Sequence, residues 1–192
     1  MPGSVRRVLI HPDDALRRKA RVVDRFGPSL MALGDDLLAT LYAQGGLGLA
    51  APQVDVGQRV IVIRGHTEGR GLVLVNPEVT NRAGSSVLIE GCLSLPDVLH
   101  RMVRSGRVEV VAQDVLGRPL RLTLDGLLAH VAQHEIDHLD GVLLIDRAEP
   151  GSAVAPRATR ADFERLAADR AAIERTAAEL DTLARDCGLE DT

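Results

Sequence analysis

Residues 133–138 read Gln-His-Glu-Ile-Asp-His, and the stretch around them, Asp125-Gly-Leu-Leu-Ala-His-Val-Ala-Gln-His-Glu-Ile-Asp-His-Leu139, decides how the rest of the chain is organised. Asp125 suits a helix N-cap and Gly141 a helix stop, so the segment predicts a helix running to about Leu139. His134 and His138 stand four residues apart, which on a helix puts both imidazoles on one face, a turn apart and close enough to share a metal ion. Glu135 lies beside them, placed to handle the proton of a water that such an ion would hold. An HExxH helix of this kind is a hydrolase arrangement.

Two histidines do not complete a catalytic metal site, which usually takes three protein ligands and leaves one position open. The leading candidate for the third is Cys92, in Glu90-Gly91-Cys92-Leu93-Ser94, because it follows a β-rich run and is flanked by Gly91 and Pro96 in a predicted turn. A lone cysteine is more often a small buried apolar residue, so this reading rests on its surroundings. A third element is Gly46-Leu47-Gly48-Leu49-Ala50-Ala51-Pro52-Gln53. A dinucleotide loop would need a strand before its glycines and a helix after them; here a helix precedes the glycines and Pro52 interrupts the segment after them. The small residues instead allow close backbone approach, with Gln53 as an amide donor.

Outward from these motifs the chain alternates between helical and β-rich patterns. Residues 8–23 start extended, turn at Pro12-Asp13-Asp14 and enter a short helical turn. Ser29 is a candidate N-cap for a helix with Leu30, Leu33, Leu37, Leu38 and Leu41 on one face, stopped by Gly45-Gly46. Between 59 and 124 lie short β-rich runs at 59–64, 72–75, 86–89, 107–113 and 120–124, separated by Gly, Pro and Asn, including Asn76-Pro77. Such spacing predicts hairpins and antiparallel sheets, and with the helices an α+β fold. An apolar run, Val142 to Ile145, follows the HExxH helix; residues 149–156 read as a linker and 157–186 as a long helix rich in Ala, Arg and Glu.

Composition narrows the function. A chain of 192 residues suits one domain able to bury roughly 70% of its unfolded surface. Phe26, Tyr42 and Phe163 are the three aromatics, so the core must be aliphatic. A net charge of −4 argues against a chain built mainly to bind nucleic acid. The 22 Arg against the single Lys19 reflect base composition more readily than 22 needs for a guanidinium. No apolar run approaches the 18 residues that would cross a bilayer, and Val8-Leu9-Ile10 is too short for a signal-peptide core, so a soluble, cytoplasmic protein without membrane contact is expected. Two cysteines, Cys92 and Cys187, fit a reducing compartment.

Taken together and in order, the segments at 46–53, 90–94 and 133–138 closely resemble the G-x-G-x-A-A-x-Q, E-G-C-x-S and Q-H-E-x-D-H segments of the peptide deformylase family, enzymes that remove the N-formyl group from new polypeptides. The resemblance extends to residues 8–23, to Val75-Asn-Pro-Glu78 and to residues 140–146, and so covers about residues 5–148. It implies antiparallel sheets packed around the HExxH helix and a catalytic domain at 1–148; the linker and C-terminal helix at 149–192, outside the resemblance, are expected to be part of the same domain. It further implies a divalent metal bound by Cys92, His134 and His138, ferrous in the family's native state, with a water as fourth ligand; zinc, nickel or cobalt suit the same donors. Glu135 would be the general base and acid, and the Gln53 amide and Leu93 backbone N–H would hold the oxyanion. The substrate would be an N-formylmethionyl peptide, touched by Gly48 and Glu90, its side chain among Leu47, Leu88 and Leu127, with His130 at the pocket's border.

The chain also departs from the family pattern. Many bacterial members carry Arg three residues after the position of Pro96, where Leu99 stands here, followed by His100 and Arg101. His130, His134 and His138 form one stripe, but its ends are separated by about 12 Å of helix rise, too far for one ion to reach both. Asp137 should face away from the metal, with Arg104 as a partner for it or for Glu90. The 157–186 helix carries six Arg against seven acidic residues, which gives a ribosome contact only weak support. Two other functions fit parts of the pattern: a zinc peptidase taking Glu164 as third ligand, and a deformylase-like peptide binder without turnover.

Overall fold

Val60-Ile-Val-Ile-Arg64 is apolar at four successive positions because this strand is covered on both faces. Ile61 and Ile63 point to one side, against the HExxH helix, while Val60 and Val62 point to the other, against the first helix. In this computed structural model, residues 3–65 and 71–154 are described. The fold is α+β, with antiparallel sheets as expected. The strands are β1 (Gly48–Ala50), β2 (Val60–Arg64), β3 (Gly71–Ala83), β4 (Ser86–Cys92), β5 (Leu95–Arg104), β6 (Arg107–Gln113), β7 (Pro119–Asp125) and β8 (Ala153–Val154). The helices are α1 (Pro28–Gln44), α2 (Gly126–Leu139) and the single turn α3 (Leu144–Arg147). One five-stranded sheet has the order β1-β2-β3-β6-β7, and a three-stranded sheet the order β4-β5-β8.

Helix α1 presents Leu30, Leu33, Leu37, Leu38 and Leu41 to the outer face of the five-stranded sheet, each burial contributing about 1.5–3 kcal/mol. Its start corrects the expected cap: Gly27 is the N-cap and Ser29 lies inside the first turn, because Pro28 at the head of the helix needs no N–H partner. Gly45 ends it in the left-handed conformation, φ 69°. Helix α2 covers the inner face, where Leu128, Ala129, Ala132, Ile136 and Leu139 pack on Ile61, Leu72, Leu74, Val110 and Leu124. A third cluster joins Leu16, Leu95, Met102, Leu143 and Leu144 under the three-stranded sheet, with Cys92 packed against it.

Asn76-Pro77 does not break the chain as the turn signal predicts; β3 runs through it with a bulge between Val75 and Glu78. Asn76, at φ 51°, takes the strain, its side chain accepting from Val23 N and donating to Val23 O and Gln113 Oε1. Asp125 is the N-cap of α2 by position, without a side-chain capping bond. The helix expected at 157–186, Cys187 and Glu164 lie outside the described residues, as does most of the 149–192 segment.

Candidate metal centre

Helix α2 is buried along nearly its whole length, so its polar side chains must find partners inside the protein. His130, Gln133, His134, Glu135 and His138 are all buried. Gln133 is satisfied by the backbone, donating to Ser105 O and Ala129 O. The others converge with the end of β4. Cys92 closes that strand just before a turn, with its Sγ 3.2 Å from His138 Nε2. The ligand atoms of Cys92, His134 and His138 lie within 4.8 Å of one another, and the two rings meet edge to face at 5.1 Å between centroids.

Glu90, two residues earlier on β4, organises the ring of His134. Its Oε2 lies 3.0 Å from His134 Nδ1, which leaves His134 Nε2 facing the cysteine side. Arg104 on β5 donates to both oxygens of Glu90 and also to Asp137 Oδ2 at 2.9 Å, so the two pairings expected of Arg104 occur together. Arg147 holds the far side of Asp137. Burial works against the charge of Glu90, but hydrogen bonds from His130, His134 and Arg104 outweigh it and hold its carboxyl well below the usual range.

The first motif reaches the same place through β1. Pairing with β2 sets Gly48 opposite Ile63 and Ala50 opposite Ile61; the chain then turns at Ala51–Val54 and aims Gln53 inward. Ala50 N donates to Gln53 Oε1 at 2.8 Å, so the amide nitrogen faces the centre, 3.7 Å from Cys92 Sγ and 3.2 Å from Ser94 Oγ. Leu9 N donates to Gln53 O and His11 N to Ser94 O, so the N-terminal segment ties these two motifs together. Gly48 faces Glu135: a Cβ there would lie 2.5 Å from Glu135 Oε1 and 2.8 Å from Val131 Cγ1.

Electrostatics favour a cation at the cluster. Burial opposes charge on His134, but hydrogen bonds with Cys92 and Glu90, and the negative charges around it, raise it to about 10. Burial and the charges of His134 and Arg104 push His138 well below the ordinary histidine value, keeping it neutral as a ligand must be. Burial pushes Glu135 up, and with His134 lowering it and Glu90 raising it the carboxyl settles at about 7. Glu135 Oε2 and His138 Nδ1 are buried without a hydrogen-bond partner among the described residues. One thiolate and two imidazoles at this spacing suit a divalent transition-metal ion.

A cavity of about 350 Å³ opens beside the cluster. Leu47, Gly48, Gln53, Leu88, Glu90, Cys92, Leu93, Leu127, His130, His134 and Glu135 all line it, so the residues singled out in the sequence surround one space, with His138 behind Cys92. Leu99 lines it too, and Arg101 lies two residues further along β5, opposite Ile89. Two partners have no role assigned from the sequence. Ser94 holds the Gln53 amide and is visible there only as a motif letter; Ser86 bonds His130 Nε2 at 2.8 Å across 44 residues, for which no local signal exists.

A family model described as Polypeptide deformylase matches residues 5–153. A peptide deformylase from Caldicellulosiruptor bescii is 46% identical over 145 residues, 75% of this chain and 86% of that protein. Among solved structures, a peptide deformylase from Legionella pneumophila superposes with a TM-score of 0.73 at 40% identity, covering 86% of this chain and 98% of that one. A Met-Ala-Ser-bound class I type b peptide deformylase from Acinetobacter baumannii gives 0.72 at 31% identity, over 77% and 99%.

Proposed function

The chain belongs to the polypeptide deformylase family, and from that membership we propose how its own residues carry the reaction. The protein is a metal-dependent hydrolase that removes the formyl group from the N-terminus of nascent peptides and releases formate. The observation that carries the assignment of roles is the convergence of Cys92, His134 and His138 beside Glu135, at the edge of a cavity lined by Gln53 and Leu93.

In this reading Cys92 Sγ, His134 Nε2 and His138 Nε2 hold the metal. When bound, it supplies Lewis acidity to a water and to the formyl oxygen. Glu135 accepts the water's proton and passes it to the leaving amine; a carboxyl near 7 is suited to both directions. Gln53 Nε2 and the Leu93 N–H face the oxygen on which negative charge develops. Gly48 offers its backbone to the extended peptide, and Leu47, Leu88 and Leu127 receive the methionine side chain, whose flexible thioether suits an aliphatic pocket. Leu99 in place of the common Arg gives the downstream peptide an apolar rather than a charged contact. Ferrous iron is the proposed native metal on the strength of the family resemblance. A cytoplasmic location, where nascent chains emerge, belongs to the same reading. Contact with the ribosome would fall to 157–186, outside the described residues.

The test is metal analysis coupled to formate release on one anaerobic, iron-loaded preparation. Cys92→Ala is expected to lose both metal and activity; a variant that keeps both would overturn the ligand assignment.

A further inference from the structure

The carboxylate of Glu90 receives four donors, two on each oxygen. Arg104 supplies Nε to Oε1 at 2.7 Å and an Nη to Oε2 at 3.1 Å. The other two positions go to histidine Nδ1 atoms, His130 to Oε1 at 2.7 Å and His134 to Oε2 at 3.0 Å. An ionised carboxylate only accepts, so both Nδ1 atoms carry protons. For a neutral ring this makes Nε2 an acceptor. On His134 that lone pair faces the cluster; on His130 it is met by the Ser86 hydroxyl at 2.8 Å. The pattern Ser86–His130–Glu90 has the order of a nucleophilic triad, but Ser86 does not line the cavity, whereas His130 does.

His130 is 1% exposed, with Leu88, Leu127 and Val131 beside it along the cavity wall. An aliphatic side chain would pack there without the desolvation that a buried imidazole carries, so packing does not account for a histidine. A donor to Glu90 does. Without it, a lone pair of Oε1 is left facing an apolar wall, and the carboxylate regains the freedom to rotate.

We propose that His130 is a positioning residue for the metal site: locked by Ser86, it donates Nδ1–H to Glu90 Oε1 and so fixes the carboxylate whose other oxygen holds the His134 Nδ1 proton, keeping His134 Nε2 as the lone pair presented to the metal. The inference rests on the reading of Cys92, His134 and His138 as ligands. It adds a residue on the same helix, one turn earlier, that touches neither metal nor the reacting atoms.

The experiment compares His130→Asn, His130→Gln and His130→Leu in zinc affinity, by chelator competition, and in the visible spectrum of the cobalt-loaded protein. Asn keeps a donor near the Nδ1 position, Gln moves it to the Nε2 position and Leu removes it. Leu and Gln are expected to weaken zinc binding about 10- to 100-fold and shift the cobalt bands, as losses of such outer partners do, while Asn restores both toward wild type. Wild-type affinity and spectrum in the folded Leu variant, or equal affinities for Asn and Gln, would overturn the proposal. Independently of any variant, the imidazole ¹⁵N spectrum of the wild-type protein must place the His130 proton on Nδ1; a proton on Nε2 overturns it as well. Cys92→Ala and His138→Ala separate the two readings: if they retain zinc, the ligand assignment fails, and if they lose it while His130→Leu does not, only the positioning role fails.

Discussion

Gly48 and Glu135 share one space: a methyl group on residue 48 would sit 2.5 Å from Glu135 Oε1 and 2.7 Å from its Cγ, well inside contact distance. The glycine on β1 is therefore what lets the carboxylate of α2 stand at the mouth of the cavity. Gly48→Ala is expected to displace Glu135, because Val131 blocks the alternative at 2.8 Å. A misplacement of this size lowers kcat/KM about 100-fold. Bound metal should stay unchanged, since Cys92, His134 and His138 are not touched. Steady-state kinetics with metal analysis of the same variant checks this.

Glu135 sets the acid limb of the pH profile. It acts as a base only when ionised, so kcat/KM must fall as pH drops through its pKa, which is about 7 in the protein without a dication. A bound dication favours the ionised form and moves the limb to lower pH. Glu135→Gln removes the limb and lowers kcat by about 100-fold or more. The same burial makes ionisation unfavourable for folding. Glu135's raised pKa favours the folded state fully below about pH 4.5, and that advantage is lost as pH rises through 7. The metal-free Glu135→Gln protein should then be the more stable of the two at pH 8, with the difference shrinking toward pH 4.5, as thermal melts across that range would report.

Arg104 is the cation that neutralises Glu90 and Asp137 at once, with its side chain 5% exposed. Arg104→Met leaves Glu90 with its two histidine donors but no cation, and Asp137 with Arg147 alone, and is expected to lower stability by about 3–5 kcal/mol in urea denaturation. The sign with pH comes from Glu90. Because its carboxyl lies below the ordinary value when folded, the pairing contributes stability above about pH 4.5 that is lost as pH falls further. A wild-type and variant difference that grows on acidification would contradict this.

The three motifs carry the site because each is local: four residues set His134 and His138 on one helix face, Cys92 follows a short β-run, and Gln53 ends a run of small residues after a helix. The antiparallel arrangement is also legible, from short runs punctuated by Gly, Pro and Asn. Strand β1 reads as a loop because Gly48-Leu-Ala50 has no alternation of its own; pairing with β2 makes it a strand. Strand β5 leaves little trace in the pattern because Leu95–Arg104 mixes charges with apolar residues on a partly exposed hairpin. Asn76-Pro77 misleads because a bulge and three side-chain hydrogen bonds absorb a turn signal inside β3. The Ser86–His130 contact, between residues 44 apart, belongs to tertiary structure alone.

Metal removal should act on stability as well as on activity, because the ligands come from β4 and α2 and the ion joins them. Chelation is expected to abolish turnover and lower the melting temperature, and excess zinc or cobalt to restore the melt. In Cys92→Ala the chelator should change the melting temperature little. Calorimetry of both proteins with and without chelator makes the comparison.

On this reading of the site, the chain cleaves the formyl C–N bond at the peptide's N-terminus. Incubating the iron-loaded protein with formyl-Met-Ala-Ser under anaerobic conditions and resolving the products by mass spectrometry, with formate measured in parallel, tests it most directly. Equal amounts of formate and Met-Ala-Ser, absent with Glu135→Gln, are the predicted result. Formyl-Met and Ala-Ser, or intact substrate from a fully metallated protein, would overturn the assignment of the formyl bond as the one cleaved.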